Sequence, residues 1–203
     1  VINTENKDIE EIASLAKRFK TWIITDEIYN RILYTDTEYL SMYSLPSMKK
    51  QTIIVDGFSK TYSMTGWRLG WLVAPKTIME RIDYFLTHSI ACTATFTQLA
   101  GIEALEGPQQ SVSDMVSQFR KRRDFVVAEL NKIAGVHCFS PHGAFYVFPN
   151  VSSFKKTSAF LAKYILEKAG VALLDGTAFG ACGEGYIRIS YATSMKNLQI
   201  GLK

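Results

Sequence analysis

Two short apolar runs rich in β-branched residues, each cut off abruptly by polar side chains, constrain this chain more than any other feature. One of them, Thr52-Ile53-Ile54-Val55, reads as a buried strand. It gives way to Asp56-Gly57-Phe58-Ser59-Lys60-Thr61-Tyr62-Ser63-Met64-Thr65-Gly66-Trp67-Arg68-Leu69-Gly70-Trp71. The polar and small residues there predict a loop at a strand end rather than a core element. The other run, Trp22-Ile23-Ile24-Thr25, stops in the same way at Asp26-Glu27-Ile28-Tyr29. Ahead of it, Asn6-Lys7-Asp8 followed by Ile9, Ile12, Ala13, Leu15 and Ala16 predicts a capped amphipathic helix to about Phe19. A helix, a strand and then an acid at the strand's carboxyl end form the α/β arrangement that places functional groups in a crevice.

The rest of the chain continues in that style. Residues 36–50 predict a loop with short helical turns, and residues 69–74 another strand, ended by Pro75. Helical patterns cover 77–88 and 97–105, the second stopped by Gly107-Pro108. Apolar residues then recur at helical spacing from 109 to 134, which predicts one long helix. Beyond it the texture changes. Residues 136–140, 144–148, 171–174 and 186–191 read as strands, 158–169 as a helix stopped at Gly170, and a last helix begins near Ser194. The expectation is an α/β chain of two domains, 1–118 and 119–203.

Composition excludes several classes. With 203 residues, 47% apolar and 21% charged, the chain has enough apolar side chain for a real core. Its net charge of +4 is mild, and Arg120-Lys121-Arg122-Arg123 is its longest basic run. That run lies in the long helix and reads as a solvated face, so no nucleic-acid partner is expected. No apolar run approaches the ~20 residues a membrane span needs, and the opening residues do not read as a signal peptide. Cys92, Cys138 and Cys182 fit neither a disulfide framework nor a zinc site, which points to a reducing cytoplasm. His88, His137 and His142 have no metal-ligand spacing, and no metal is expected.

The stretch around Lys60 resembles the cofactor-lysine segment of the class I/II aminotransferases, pyridoxal-phosphate enzymes of fold type I. Separated matches in the same order support the likeness. They are Thr25-Asp26-Glu27-Ile28-Tyr29, Thr65-Gly66-Trp67-Arg68, Pro141-His142-Gly143-Ala144-Phe145-Tyr146 and Gly185-Tyr186-Ile187-Arg188-Ile189-Ser190-Tyr191-Ala192. Asp175-Gly176-Thr177-Ala178-Phe179-Gly180 resembles the family's glycine-rich substrate loop, with Asp175 where proline is common. The resemblance implies part of a large domain built on a mostly parallel sheet, followed by a smaller α/β domain.

It also implies roles. Lys60 would form the Schiff base with pyridoxal phosphate and carry the substrate proton, Asp26 would face the pyridine nitrogen, and Tyr29 would bond the ring hydroxyl. Ser59 and Arg68 would bind the phosphate, since arginine's fork of donors suits phosphate oxygens. In Thr65-Gly66-Trp67-Arg68 the glycine would let the backbone pass closely. Arg188 shares a strand face with Tyr186 and Ser190, and a charge there needs a partner. The resemblance implies that it grips the substrate's α-carboxylate. Taken alone, Lys60 and Arg188 read as surface charges and Asp26 as a loop or cap residue.

Within the family the chain is most like the bacterial aspartate aminotransferase branch. That implies aspartate and 2-oxoglutarate as substrates and a homodimer whose partner subunit completes the site. Family members are about twice as long. The chain starts at Val1 without a methionine, so it reads as the C-terminal half of such an enzyme, cut off in its last helix and inactive alone. Its uncovered sheet edges and apolar faces would invite aggregation. The alternatives are a β-lyase, a transaminase for aromatic amino acids, alanine or kynurenine, and a pyridoxal-phosphate-sensing domain of a transcription regulator. An inert truncated paralogue is the blandest, opposed by intact Asp26, Lys60, Arg68 and Arg188.

Overall fold

In the computed structural model, which describes residues 6–36 and 38–203, the chain divides into two units, one ending at Ser113 and the other covering Asp114–Lys203. The first opens with α1, Asn6–Phe19, with Asp8 in its first turn and Lys17 and Arg18 in its last, matching the helix dipole. Asn6 is already helical, so the residue that would cap it lies outside the described residues. Ala13 and Ala16 bury their small side chains against Met42 and Met48, with Ile9, Ile23 and Leu45 around them. Those methionines belong to two short 3-10 turns, Met42–Ser44 and Met48–Lys50.

The packing seats β1, Ile23–Asp26, which pairs in parallel with β2, Thr52–Gly57, in the register Ile23↔Thr52 to Asp26↔Val55. β3, Gly70–Val73, runs antiparallel to β2, so this three-stranded sheet is mixed, in the order β1-β2-β3. β2 is longer than its apolar run predicts. Asp56 and Gly57 stay in the ladder opposite Trp71 and Gly70, because pairing outweighs their weak strand preference.

The predicted loop after β2 is also more ordered than expected. Phe58–Thr61 form one helical turn, α2, whose Phe58 and Thr61 are buried, and a 3-10 turn follows at Thr65–Trp67. Helices α3, Lys76–Ser89, and α4, Thr95–Glu106, complete the unit. α4 presses on the lysine segment at Gly101, where a Cβ would lie 2.5 Å from Leu69 Cδ2 and 3.4 Å from the Phe58 ring. Much of α4 and of the sheet remains uncovered: Phe96, Leu99, Ile102 and Leu105 are exposed, and Ile24 on β1 is 71% exposed.

α5, Gln110–Leu130, spans the division between the units and is shorter than the 109–134 pattern predicts. Asn131 ends it. Its side chain accepts the Cys138 N–H and donates to the Cys138 carbonyl, both at 2.9 Å. The same bonds occupy the backbone of 136–140, which is not a strand; only His137 there forms a bridge, to Asn150. The basic run on α5 is not uniformly solvated either. Arg123 pairs with Asp124 at 2.7 Å and donates to the Pro141 carbonyl at 3.0 Å, while Arg122 lies over the Phe119 ring.

The second unit holds an antiparallel sheet in the order β4-β6-β5, from β4 Tyr146–Val147, β5 Leu174–Asp175 and β6 Ile187–Ser190. β5 is short because most of the 171–174 run is coil. Phe119, Phe145 and Tyr191 pack ring on ring in the core. The fully buried Tyr191 hydroxyl donates to the Ala144 carbonyl at 3.0 Å. Two helices flank the sheet sequence. α6, Ser158–Ala169, is capped by Thr157 and ended by left-handed Gly170, and α7, Met195–Gly201, is capped by Ser194. α7 ends at Gly201, where the Leu202 N–H closes on the Ile200 and Leu198 carbonyls. Among the described residues no helix is long and apolar enough to cross a membrane.

Candidate active site

Parallel pairing of β1 and β2 brings their carboxyl ends side by side. Asp26 faces Val55 across the ladder, the last rung being Glu27 N–H to the Val55 carbonyl at 2.9 Å. The chain then turns, and Asp26 Oδ1 accepts the Ile28 N–H at 3.1 Å, an Asx turn that carries Tyr29. Ser59 and Lys60 sit in α2, directly after β2, and both are half-buried. Arg68 returns to the same end, since Phe58 N–H bonds the Leu69 carbonyl at 3.2 Å and Gly70 pairs with Gly57. The structure therefore brings Asp26, Tyr29, Ser59, Lys60 and Arg68 to one end of one sheet.

Arg68 is exposed and takes part in no ion pair among the described residues. Its Nη1 donates to the Thr65 carbonyl at 3.0 Å. Ser63 and Arg68 both have left-handed backbones, φ 54° and 53°. For residues with a Cβ that conformation costs about 1–2 kcal/mol, and such strain gathers at functional sites. The close backbone approach expected at Gly66 occurs elsewhere. A Cβ on Gly66 would meet nothing within 4 Å, whereas one on Gly57 would lie 2.9 Å from the Leu69 carbonyl oxygen.

Beneath these groups lies an acidic cluster that the sequence reading missed. Glu27 is buried and accepts the Ser41 hydroxyl at 2.8 Å. Burial pushes its carboxyl above the ordinary value, partly offset by the Ser41 bond and reinforced by Asp56. Burial also raises Asp56, against hydrogen bonds from Gly57 and Asn30. The folded chain thus holds a proton on Glu27 at a pH where the unfolded chain has lost it. The contribution of Glu27 to stability is then fully present below the ordinary glutamate value of 4.5 and is lost as pH rises through the raised folded value. Denaturant unfolding of full-length Glu27→Gln protein is expected to give a flatter stability profile above pH 4.5. An unchanged slope would mean that Glu27 ionises as readily folded as unfolded.

Arg188 belongs to the second unit, on β6, opposite Leu174 of β5. Its partners are aromatic. The guanidinium carbon lies 4.5 Å from the Tyr146 ring centre and 4.6 Å from that of Phe179, a cation–π arrangement. Phe148 adds to the cluster, stacked on Tyr186 at 5.2 Å and edge-on to Phe179 at 6.0 Å. Phe179 ends a 3-10 turn, Gly176–Phe179, capped by Asp175, whose carboxylate accepts the Ala178 N–H at 3.2 Å and the Thr177 hydroxyl. The residue that departs from the familiar loop sequence therefore organises the turn, and the Thr177 bond holds its carboxyl below the usual value. Gly176 and Gly183 cross so closely that a Cβ on Gly176 would lie 2.0 Å from the Gly183 oxygen.

Among the described residues no group of His, Cys, Asp or Glu is arranged to hold a metal ion. Burial pushes the Cys138 thiol up to about 11, far from thiolate chemistry at neutral pH.

A lysine turn, an Asp-Glu-x-Tyr strand end and an arginine loop on one α/β sheet place the chain among the transaminase folds. It belongs to the class I and II aminotransferase family, whose model matches residues 2–203. Over 197 residues it is 41% identical to an aspartate aminotransferase of Pyrococcus abyssi, covering 96% of this chain and 50% of that protein. It is 39% identical to aromatic-amino-acid aminotransferase 2 of Thermococcus litoralis, covering 98% of this chain and 54% of the relative. The crystal structure of an aromatic aminotransferase from Pyrococcus horikoshii superposes with a TM-score of 0.95 at 40% identity, over 98% of this chain and 54% of that one. The chain thus spans about half the length of these relatives.

Proposed function

We propose that the full-length protein is a pyridoxal-phosphate-dependent aminotransferase that moves an amino group between an amino acid and a 2-oxo acid. The observation that carries this reading is the set of amine, carboxylate, phenol, hydroxyl and guanidinium at one end of the first sheet. That donor set fits the group. Lys60 suits its aldehyde, Asp26 its pyridine nitrogen, Tyr29 its ring hydroxyl, and Ser59 with Arg68 its phosphate. When bound, the cofactor supplies an electron sink for bond breaking at the substrate Cα.

The chain's own residues do the rest. Lys60 would anchor the group and would move the proton at the substrate Cα as a general base and acid. Asp26 would hold the proton at the ring nitrogen, and Tyr29 would donate a hydrogen bond to the ring hydroxyl oxygen. Arg188 binds the substrate carboxylate through its fork of donors. Domain limits of 1–118 and 119–203, a homodimer whose partner subunit completes the site, and a cytoplasmic location accompany this reading.

Aspartate with 2-oxoglutarate is the first choice of substrate pair, supported by the Pyrococcus abyssi relative. An aromatic donor is the second, favoured by the relative and the solved structure that are named for it. The test is glutamate formation by the full-length protein with cofactor, 2-oxoglutarate and aspartate, phenylalanine or alanine in turn. Aspartate is expected to react fastest, a faster phenylalanine would move the assignment to the aromatic class, and no glutamate from any donor would overturn the transaminase reading. In the same assay Arg188→Lys is expected to raise KM for 2-oxoglutarate about 10- to 100-fold. It replaces a planar fork by a point charge, at a cost in the range of one charged hydrogen bond, about 1.5–3 kcal/mol. An unchanged KM would remove Arg188 from carboxylate binding.

A further inference from the structure

The geometry points to a pair of struts, Asn30–Asp56 and Arg31–Tyr62, that fix Lys60 in position relative to Asp26 and Tyr29. The inference rests on the functional reading above and assigns two adjacent turn residues as positioning residues. Asn30 Nδ2 donates to Asp56 Oδ2 at 2.9 Å, ahead of Lys60 in the chain. Arg31 Nη1 donates to the Tyr62 hydroxyl at 2.7 Å, after Lys60 in the chain. The turn that carries Tyr29 therefore grips the lysine segment at two points that bracket Lys60.

Each strut is anchored at both ends. The other oxygen of Asp56 accepts the Gly57 N–H at 2.6 Å, and Gly57, the last residue of β2, directly precedes α2. Gly57 itself is wedged against the Leu69 carbonyl and lies near Ile28, where a Cβ would be 3.6 Å from Ile28 Cδ1. Arg31 donates also to Gln109 Oε1 at 2.8 Å. Gln109 in turn donates to the Ala104 and Gly107 carbonyls at 3.0 and 2.8 Å, which ties the strut to the end of α4. The Tyr62 ring packs on Phe58 with centres 5.5 Å apart and lies 5.7 Å from the Arg31 guanidinium.

The struts sit where the backbone stops doing this job. The β1–β2 ladder closes at the Glu27–Val55 bond, and the residues carrying Tyr29 and Lys60 lie past it. A constellation of this kind must hold to within about 0.5 Å, and a misplacement of about 1 Å can cost 10²-fold in rate. Burial lifts the Asp56 carboxyl above its ordinary value. It is therefore costly to keep charged there, which suits a residue retained for its two bonds rather than for stability.

The test uses full-length Asn30→Ala and Tyr62→Phe proteins, singly and combined. Tyr62→Phe keeps the ring packing and deletes only the hydroxyl. In the cofactor-free proteins, hydrogen exchange is expected to speed up about tenfold at amides 58–62 in Asn30→Ala as well as in its own turn. Tenfold corresponds to about 1.4 kcal/mol, the scale of one hydrogen bond. With pyridoxal phosphate added, the combined variant is expected to need about tenfold more cofactor for half-saturation and to shift the pH midpoint of the bound-cofactor absorbance. Exchange changes confined to 27–31, with affinity and midpoint as in the unaltered protein, would overturn the struts alone. An unaltered protein with no bound-cofactor absorbance would overturn the functional reading, and this proposal with it.

Discussion

Lys60→Ala is expected to lower transamination by the full-length protein about 10⁴-fold or more. A positioned general acid–base alone contributes about 10²–10⁴-fold, and this lysine would also supply the covalent anchor. The loss should be chemical rather than structural, since α2 is held by buried Phe58 and Thr61 on either side of Lys60. Two measurements check it. Steady-state rates give the size of the loss, and mass spectrometry after borohydride reduction should find the cofactor's mass on Lys60 in the unaltered protein and nowhere in the variant. A variant keeping a tenth of the activity, or trapping on another lysine, would take Lys60 out of the role.

Asp26→Asn should lower kcat about 10²–10³-fold, the range seen when one preorganised electrostatic partner of the reacting group is removed. The substitution is well suited to isolate charge. The Asx turn needs only an oxygen acceptor for the Ile28 N–H, which asparagine keeps, so Tyr29 stays where it is. KM for the 2-oxo acid should barely move, because Asp26 does not bind the carboxylate in this scheme. A kcat within threefold of the unaltered value would mean that the carboxylate is a turn residue and no more.

Much of this was legible in the residues, and for a definable reason. Helix α6 falls at Ser158–Ala169 and stops at Gly170 as expected, because a glycine stop acts locally and needs no distant partner. The family resemblance was equally readable, since its motifs are short and sit at strand ends. What failed depended on remote contacts. Residues 136–140 have strand-like residues, yet the Asn131 side chain claims the backbone of Cys138. Gly66 stood in a motif that invited a close approach, and the approach is made by Gly57. The acidic cluster of Glu27 and Asp56 and the pairings of Asn30 and Arg31 join residues far apart in sequence. A buried aspartate closing an apolar strand was the one local sign that could have pointed to them.

The two rings that hold Arg188 bear on how readily the protein can take up an anion. A free arginine side chain carries about 2 kcal/mol of rotamer entropy, which is ordinarily lost when a ligand pins it down. Here Tyr146 and Phe179 already confine the guanidinium within 4.6 Å. The loss of freedom occurs when the second unit folds, not when a ligand arrives. In the proposed role, a carboxylate reaching this arginine would meet a fork that is already set, so more of the energy of the new hydrogen bonds would appear as affinity.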